Sequence, residues 1–347
     1  MEHARPRRVV RDLPPGSFAF VMATGIVSTA FELRGWHLLS VILLGIAVAG
    51  GVALAAGTLW RLVSYRTELL RDADDPARSF GFFTVVAGIN VIGIRLHQEA
   101  PVATIALAVL SVPIWLVLTY GLPAGLMLRR HAVPVSSQAD GSWFLWVVGT
   151  QSLATAAATI AMGDASGVLA ELAVALWGVG VMLYLMLTTV VTLRLLTSSA
   201  DPRSLSPSYW IYMGATAITV LAGSRILVLP QDLPIFAATA AVISGLTYLL
   251  WAFGVWWIPL LIVFGVWRHA VHREALRYES GLWSIVFPLG MYSVASMHYG
   301  AEVRLPAMVL IGQAGAWVAG LAWLGAAVAM VVAWAGSSRR AASSLEA

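Results

Sequence analysis

The sequence has 347 residues, 59% of them hydrophobic and only 11% charged, with a formal charge of +4 and a pI near 9.7. Soluble domains carry about 25% charged residues, so this composition excludes a soluble enzyme, a nucleic-acid-binding domain and a disordered chain. The roughly 205 hydrophobic residues supply about ten helices of about 20 residues each. Their runs are continuous rather than alternating, which argues against a membrane β-barrel.

The chain opens on a basic, Pro-containing stretch from Arg5 to Arg11. The apolar run after it lacks a small-residue cleavage site and a soluble sequel, so it reads as a first span and not as a signal peptide. Ten apolar segments follow: Gly16–Leu33, Leu38–Val63, Phe80–Leu96, Val102–Leu128, Trp143–Met162, Val168–Leu196, Tyr209–Leu229, Ile235–Trp267, Leu282–Tyr299 and Ala307–Trp334. The breaks between them hold helix-ending chemistry, such as Asp74-Asp75-Pro76, Pro134, Asp201-Pro202, Leu229-Pro230 and Leu305-Pro306. The break at Gly163-Asp164 is the least marked. Odd segments are roughly 17–22 residues long and even ones roughly 26–33. Five short–long pairs predict five helical hairpins, with short helices inside and long ones outside. This gives an N-terminal segment 1–14, a transmembrane unit 15–335 and a C-terminal tail 336–347.

All 21 basic residues are Arg. Seventeen fall on one side of the predicted spans, including Arg61, Arg78, Arg194, Arg203, Arg268 and Arg277. Four fall on the other: Arg34, Arg95, Arg225 and Arg304. The positive-inside rule puts both termini in the cytoplasm and favours an even span count. No carboxylate lies at the middle of a span, which disfavours a cation pathway.

The odd segments carry uncharged polar groups instead. Thr24 and Ser28 lie in the first, Asn90 in the third, Thr150 and Gln151 in the fifth, Thr216 in the seventh and Ser284 in the ninth. Such donors suit a weakly coordinating anion path; hydroxyls also bond their own helix or glue helices together. Arg95 and Arg225 sit at the far ends of segments three and seven. They are candidates for an anion-attracting outer vestibule, or for anchors and ion pairs such as Arg95 with Glu99. His298 reads as a polar-end anchor. Gly25, Gly88, Gly93, Gly149 and Gly214 interrupt the odd segments, and Pro288 kinks the ninth beside the bulky Phe287. With no Cys, no HExxH, no phosphate loop and no GxSxG, neither an enzyme nor a metal or other cofactor is expected.

Two stretches carry a family resemblance: Pro15-Gly16-Ser17-Phe18 through Met22-Ala23-Thr24-Gly25 to Ser28, and Leu282-Trp283-Ser284-Ile285-Val286-Phe287-Pro288-Leu289-Gly290-Met291-Tyr292. They resemble the first and ninth helices of the tellurite-resistance/dicarboxylate transporter family, which includes bacterial tellurite-resistance permeases and plant slow anion channels. Many members read Met-Gly-Thr-Gly where this chain has Ala23. The resemblance implies a quasi-fivefold ring of inner helices around one pore per subunit, a homotrimer in the plasma (inner) membrane, and a pore gate at Phe287 and Pro288. The implied cargo is a small inorganic anion, or alternatively a C4-dicarboxylate or an oxyanion such as tellurite or sulfite moved by a carrier.

Overall fold

A computed structural model describes residues 4–130, 133–163, 167–197, 205–230, 232–275 and 278–346. The predicted breaks at Asp164 and Asp201-Pro202, and the side chains of Arg203 and Arg277, lie outside the described residues. The helices are α1 (Ala4–Arg11), α2 (Ala19–Leu33), α3 (His37–Ser64), α4 (Arg66–Asp74), α5 (Phe83–Arg95), α6 (Pro101–Leu128), α7 (Leu145–Ala161), α8 (Val168–Thr197), α9 (Trp210–Leu227), α10 (Pro234–Val266), α11 (Trp283–Glu302) and α12 (Pro306–Glu346). There is no strand among the described residues.

Local chemistry sets the boundaries. α6, α10 and α12 each start on a proline, whose missing N–H costs nothing at the first helical position. The α2–α3 reversal rests on Gly35, whose φ of 77° is the left-handed value a Cβ disfavours. There the Gly35 N–H donates to the Glu32 carbonyl at 2.9 Å and the Trp36 N–H to the Phe31 carbonyl at 2.9 Å. Two short helices, α1 and α4, fall outside the ten apolar segments, because both are rich in charge. α12 continues through Glu346, so the backbone has no break where the C-terminal tail was expected.

The helices form two layers. α2, α5, α7, α9 and α11 touch one another in a closed cycle, α2 to α5 to α7 to α9 to α11 and back to α2. Each also packs on the long helix that follows it, in the pairs α2–α3, α5–α6, α7–α8, α9–α10 and α11–α12. Burial separates the layers. The apolar windows around α2, α7 and α9 are 61–89% buried, whereas those of α3, α6, α8, α10 and α12 are 17–33% buried. Side chains such as Val102, Val117, Leu249 and Trp334 stand exposed on the outer layer, as they do where lipid is the solvent.

Among the described residues eight helical stretches are long and apolar enough to cross a membrane, rather than ten. α5 falls short in length, since its 13 residues rise only about 20 Å against about 30 Å of hydrocarbon. Joined to α4 it would make a ninth, bent by 117° at the break. α11 falls short in hydropathy, because Ser293, Ser296, His298 and Glu302 dilute it.

Candidate permeation site

The inner helices share one start. Each follows a short 3₁₀ turn: Pro15–Phe18, Ser79–Phe82, Gly141–Phe144, Pro207–Tyr209 and Ser280–Leu282. These turns touch in the same cyclic order as the helices themselves. Their sequences repeat a small residue followed by aromatics, as in Gly16-Ser17-Phe18, Gly81-Phe82-Phe83, Gly141-Ser142-Trp143-Phe144, Pro207-Ser208-Tyr209-Trp210 and Gly281-Leu282-Trp283. The small residues are needed for contact. A Cβ on Gly141 would collide with the Ser208 carbonyl oxygen, and one on Gly81 would lie 2.9 Å from the Gly16 nitrogen. Asp140 ties two turns together: it accepts from the Ser142 N–H (2.9 Å), the Ser142 hydroxyl (2.5 Å) and the Ser208 hydroxyl (3.2 Å). Burial raises its carboxyl above the ordinary value, and the bonds from Ser142 and Ser208 and the charge of Arg194 oppose that rise.

Two cavities lie along the five inner helices. One, of about 180 Å³, opens among the starting turns and is lined by Ala19, Thr84, Leu145, Ile211 and Ser284, with Arg78 at its rim. The other, of about 20 Å³, is lined further along the same helices by Ile26, Val91, Ser152, Ile218 and Met291, then by Thr29, Thr155 and Arg225. The two linings are in register: 19 and 26, 84 and 91, 145 and 152, 211 and 218, 284 and 291. Seven residues are about two helical turns and about 10 Å of rise, so the two cavities lie on the same helical faces about that far apart. Phe287 of α11 lies between Ser284 of the larger cavity and Met291 of the smaller, and is 1% exposed. The matching positions are Met22, Ala87, Val148 and Gly214, all buried. Gly149 packs against the Phe83 ring, and a methyl group on Gly214 would come within 2.8 Å of the Pro288 ring, so the glycines serve helix–helix approach.

Most of the polar residues picked out from the sequence turn away from the axis of the five inner helices. The outer-layer tryptophans account for several. Trp323 of α12 donates to the Thr24 hydroxyl (3.0 Å) and Trp115 of α6 to the Thr150 hydroxyl (3.0 Å), while Trp251 of α10 donates to Ser296 (2.8 Å). Ser28 donates to the Ser40 carbonyl (2.8 Å) and closes the α2–α3 pair. Gln151 donates to the Trp177 carbonyl of α8 (3.1 Å). Thr216 bonds its own helix at Met213 and abuts Gly254 of α10. Gly25 abuts Val91 of α5. These residues join layers or neighbouring helices, because a hydroxyl or amide in a dry interior goes where a partner is. Asn90 is one step closer to the axis: it donates to Ser152 (3.1 Å) and accepts from Ser111 (3.2 Å). Of the predicted lining residues, Ser284 borders a cavity directly. Ser152, Thr155 and Thr29 do so too, and period-seven spacing from Ser284 and Phe287 would have found that face.

The two vestibule candidates separate. Arg95 is not free to attract an anion. Its side chain is 3% exposed and bound to Glu32 (2.7 Å), Glu99 (2.7 Å) and the Ser40 hydroxyl (2.9 Å), so it clamps α2, α3 and α5. Arg225 does line the smaller cavity, and its Nη2 lies 3.1 Å from His298 Nε2. His298 is thus a partner of Arg225 rather than a lone anchor. Among the described residues no cluster of His, Cys, Asp and Glu has the make-up of a metal site.

A two-layer helical bundle with an apolar outer surface is a multi-pass membrane protein. The family described as voltage-dependent anion channel (SLAC1) matches residues 12–331. The chain belongs to that family of anion channels and transporters. It is 45% identical over 149 residues to an uncharacterized membrane protein of Mycobacterium tuberculosis, covering 43% of this chain and 75% of the relative. It is 28% identical over 182 residues to an uncharacterized transporter of Methanocaldococcus jannaschii, covering 50% of this chain and 49% of that protein.

Proposed function

We propose that the protein passes small anions along the axis of the five inner helices, and that Phe287 seals the path. The observation that carries this reading is the register: two cavities on the same five helical faces, with one bulky ring buried between them. The inner helices are the five short segments and the outer helices their hairpin partners, so the reading takes α5 and α11 as spans and counts ten. The ring is then quasi-fivefold, and its starting turns lie on the Arg-rich, cytoplasmic side with both termini. A homotrimer in the plasma (inner) membrane follows from the family resemblance.

The path favours anions by what it lacks. Among the described residues no carboxylate lines either cavity; Arg225 stands at one, and Arg78 at the other shares Asp72 with Arg61 (2.7 and 2.6 Å), so that trio keeps one net positive charge. Such an arrangement gives a positive potential without tight coordination. Opening requires the Phe287 ring to leave the axis, and the Pro288 kink beside it loosens the helix there, since a proline removes one backbone bond. Chloride-loaded proteoliposomes test this. Phe287→Ala is expected to release chloride faster than the parent protein by at least tenfold. Equal release from folded protein overturns the gate.

A further inference from the structure

The smaller cavity contains one ionised side chain, and among the described residues that charge has no counter-ion. Among the described residues Arg225 makes one hydrogen bond, to His298 Nε2 at 3.1 Å. Its Nε is buried and donates to no described residue. No carboxylate among the described residues pairs with it, in contrast to Arg95, which holds two. A guanidinium only donates, so His298 Nε2 is the acceptor and carries no proton in this bond. The imidazole is therefore neutral, and the pair keeps a full positive charge beside the axis.

The cavity offers an incoming anion little else. Thr29, Ser152 and Thr155 direct their hydroxyl protons at carbonyls of their own helices, Gly25 (3.1 Å), Gly149 (2.7 Å) and Gln151 (2.8 Å). Ile26, Val91, Ile218, Leu221, Met291 and Val294 make the rest of the wall apolar. An unpaired N–H in such a place is an unmet demand for an acceptor. We propose that Arg225 docks a small monovalent anion in this cavity, and that His298 is its positioning partner. This deepens the anion-path reading and rests on it for the direction of travel. The space is about 20 Å³, roughly one water-sized sphere. One positive charge neutralises one negative charge, so a dianion would enter with a charge uncompensated against apolar walls. His298 holds the guanidinium toward the axis while the site is empty, and the anion replaces it as acceptor for Nη2.

The test measures binding separately from conduction. Detergent-purified protein is heated in nitrate or in sulfate at matched ionic strength. Nitrate is expected to raise the unfolding midpoint of the parent protein, sulfate to raise it less, and Arg225→Gln to abolish the difference. Arg225→Lys keeps the charge and retains part of it, which guards against a folding defect in the Gln variant. In a Phe287→Ala background, Arg225→Gln is expected to raise the half-saturating nitrate concentration for current about tenfold, the low end for a bond to a charged group. His298→Leu is expected to raise it severalfold, and His298→Gln, which keeps an acceptor, to restore it. An equal nitrate effect with and without the Arg225 guanidinium overturns the docking site, whatever the current does. Arg225-dependent stabilisation by nitrate with no anion current from Phe287→Ala upholds the site and overturns the conduction reading.

Discussion

Arg95→Met separates a clamp from a vestibule. In the structure Arg95 satisfies Glu32, Glu99 and Ser40 from one guanidinium, with its own side chain 3% exposed. The Glu99 bond is worth under about 1 kcal/mol, since Glu99 is half exposed. The bonds to Glu32 and Ser40 are worth more: removing one member of a fully buried pair costs about 3–5 kcal/mol because the other is left uncompensated, and Glu32, 22% exposed, puts this pair at the low end of that range. Glu32 keeps its His37 contact at 2.7 Å, which softens the loss. The expected destabilisation is therefore about 3 kcal/mol, and Glu32→Gln in the same chain should recover part of it. Denaturant unfolding in detergent measures both, and a bilayer recording at a chloride gradient measures anion preference. The reasoning fails if Arg95→Met loses less than about 1 kcal/mol while anion preference collapses, for then Arg95 acts on the path and not on the frame.

Gly141→Ala should cost about 2–3 kcal/mol, as its methyl would meet the Ser208 backbone; Gly16→Ala, with nothing within 4 Å, should stay within about 0.5 kcal/mol. Both are read by thermal unfolding. Thr24→Val and Thr150→Val should leave anion preference unchanged, because Trp323 and Trp115 hold those hydroxyls outward; a changed reversal potential would return them to the path. Asp140 has a folded-state carboxyl raised above its ordinary 3.8 by burial. Its contribution to stability is thus fully present below that ordinary value and is lost as pH rises through the shifted one. Asp140→Asn should flatten that part of the profile, and an unchanged difference between the two proteins from about pH 3 to about pH 7 would contradict it.

The layers of this fold were legible in the sequence because they are a matter of length and hydropathy. The long segments are helices with mostly exposed apolar windows, and the short ones around α2, α7 and α9 are mostly buried. The span count was less legible, because α5 has only 13 residues and α11 carries Ser293, Ser296, His298 and Glu302, features that apolar-run reading alone does not weigh. The side-chain directions were mostly hidden. Thr24 and Thr150 look like pore hydroxyls until Trp323 and Trp115 are placed, and those partners lie 299 and 35 residues away. Arg95 and Arg225 both lie in the last turn of an inner helix, and the presence of Glu32 and Glu99 around the first but not the second tells them apart. The Gly/Ser-aromatic repeat at the five starting turns was present in the sequence, and only the contacts among those turns give it meaning.

The central claim is an anion path sealed by one ring, and a cysteine placed near Pro288 tests it. The chain has no native Cys, so Ala215→Cys supplies the sole thiol, at a buried position next to Gly214, which abuts Pro288. A small negatively charged thiol reagent is applied during bilayer recording, with and without Phe287→Ala. The account predicts that the Phe287→Ala background carries an anion current, that the reagent blocks it, and that modification with Phe287 in place is at least tenfold slower. Equal rates of modification in the two backgrounds, or a current that modification leaves untouched, would contradict it.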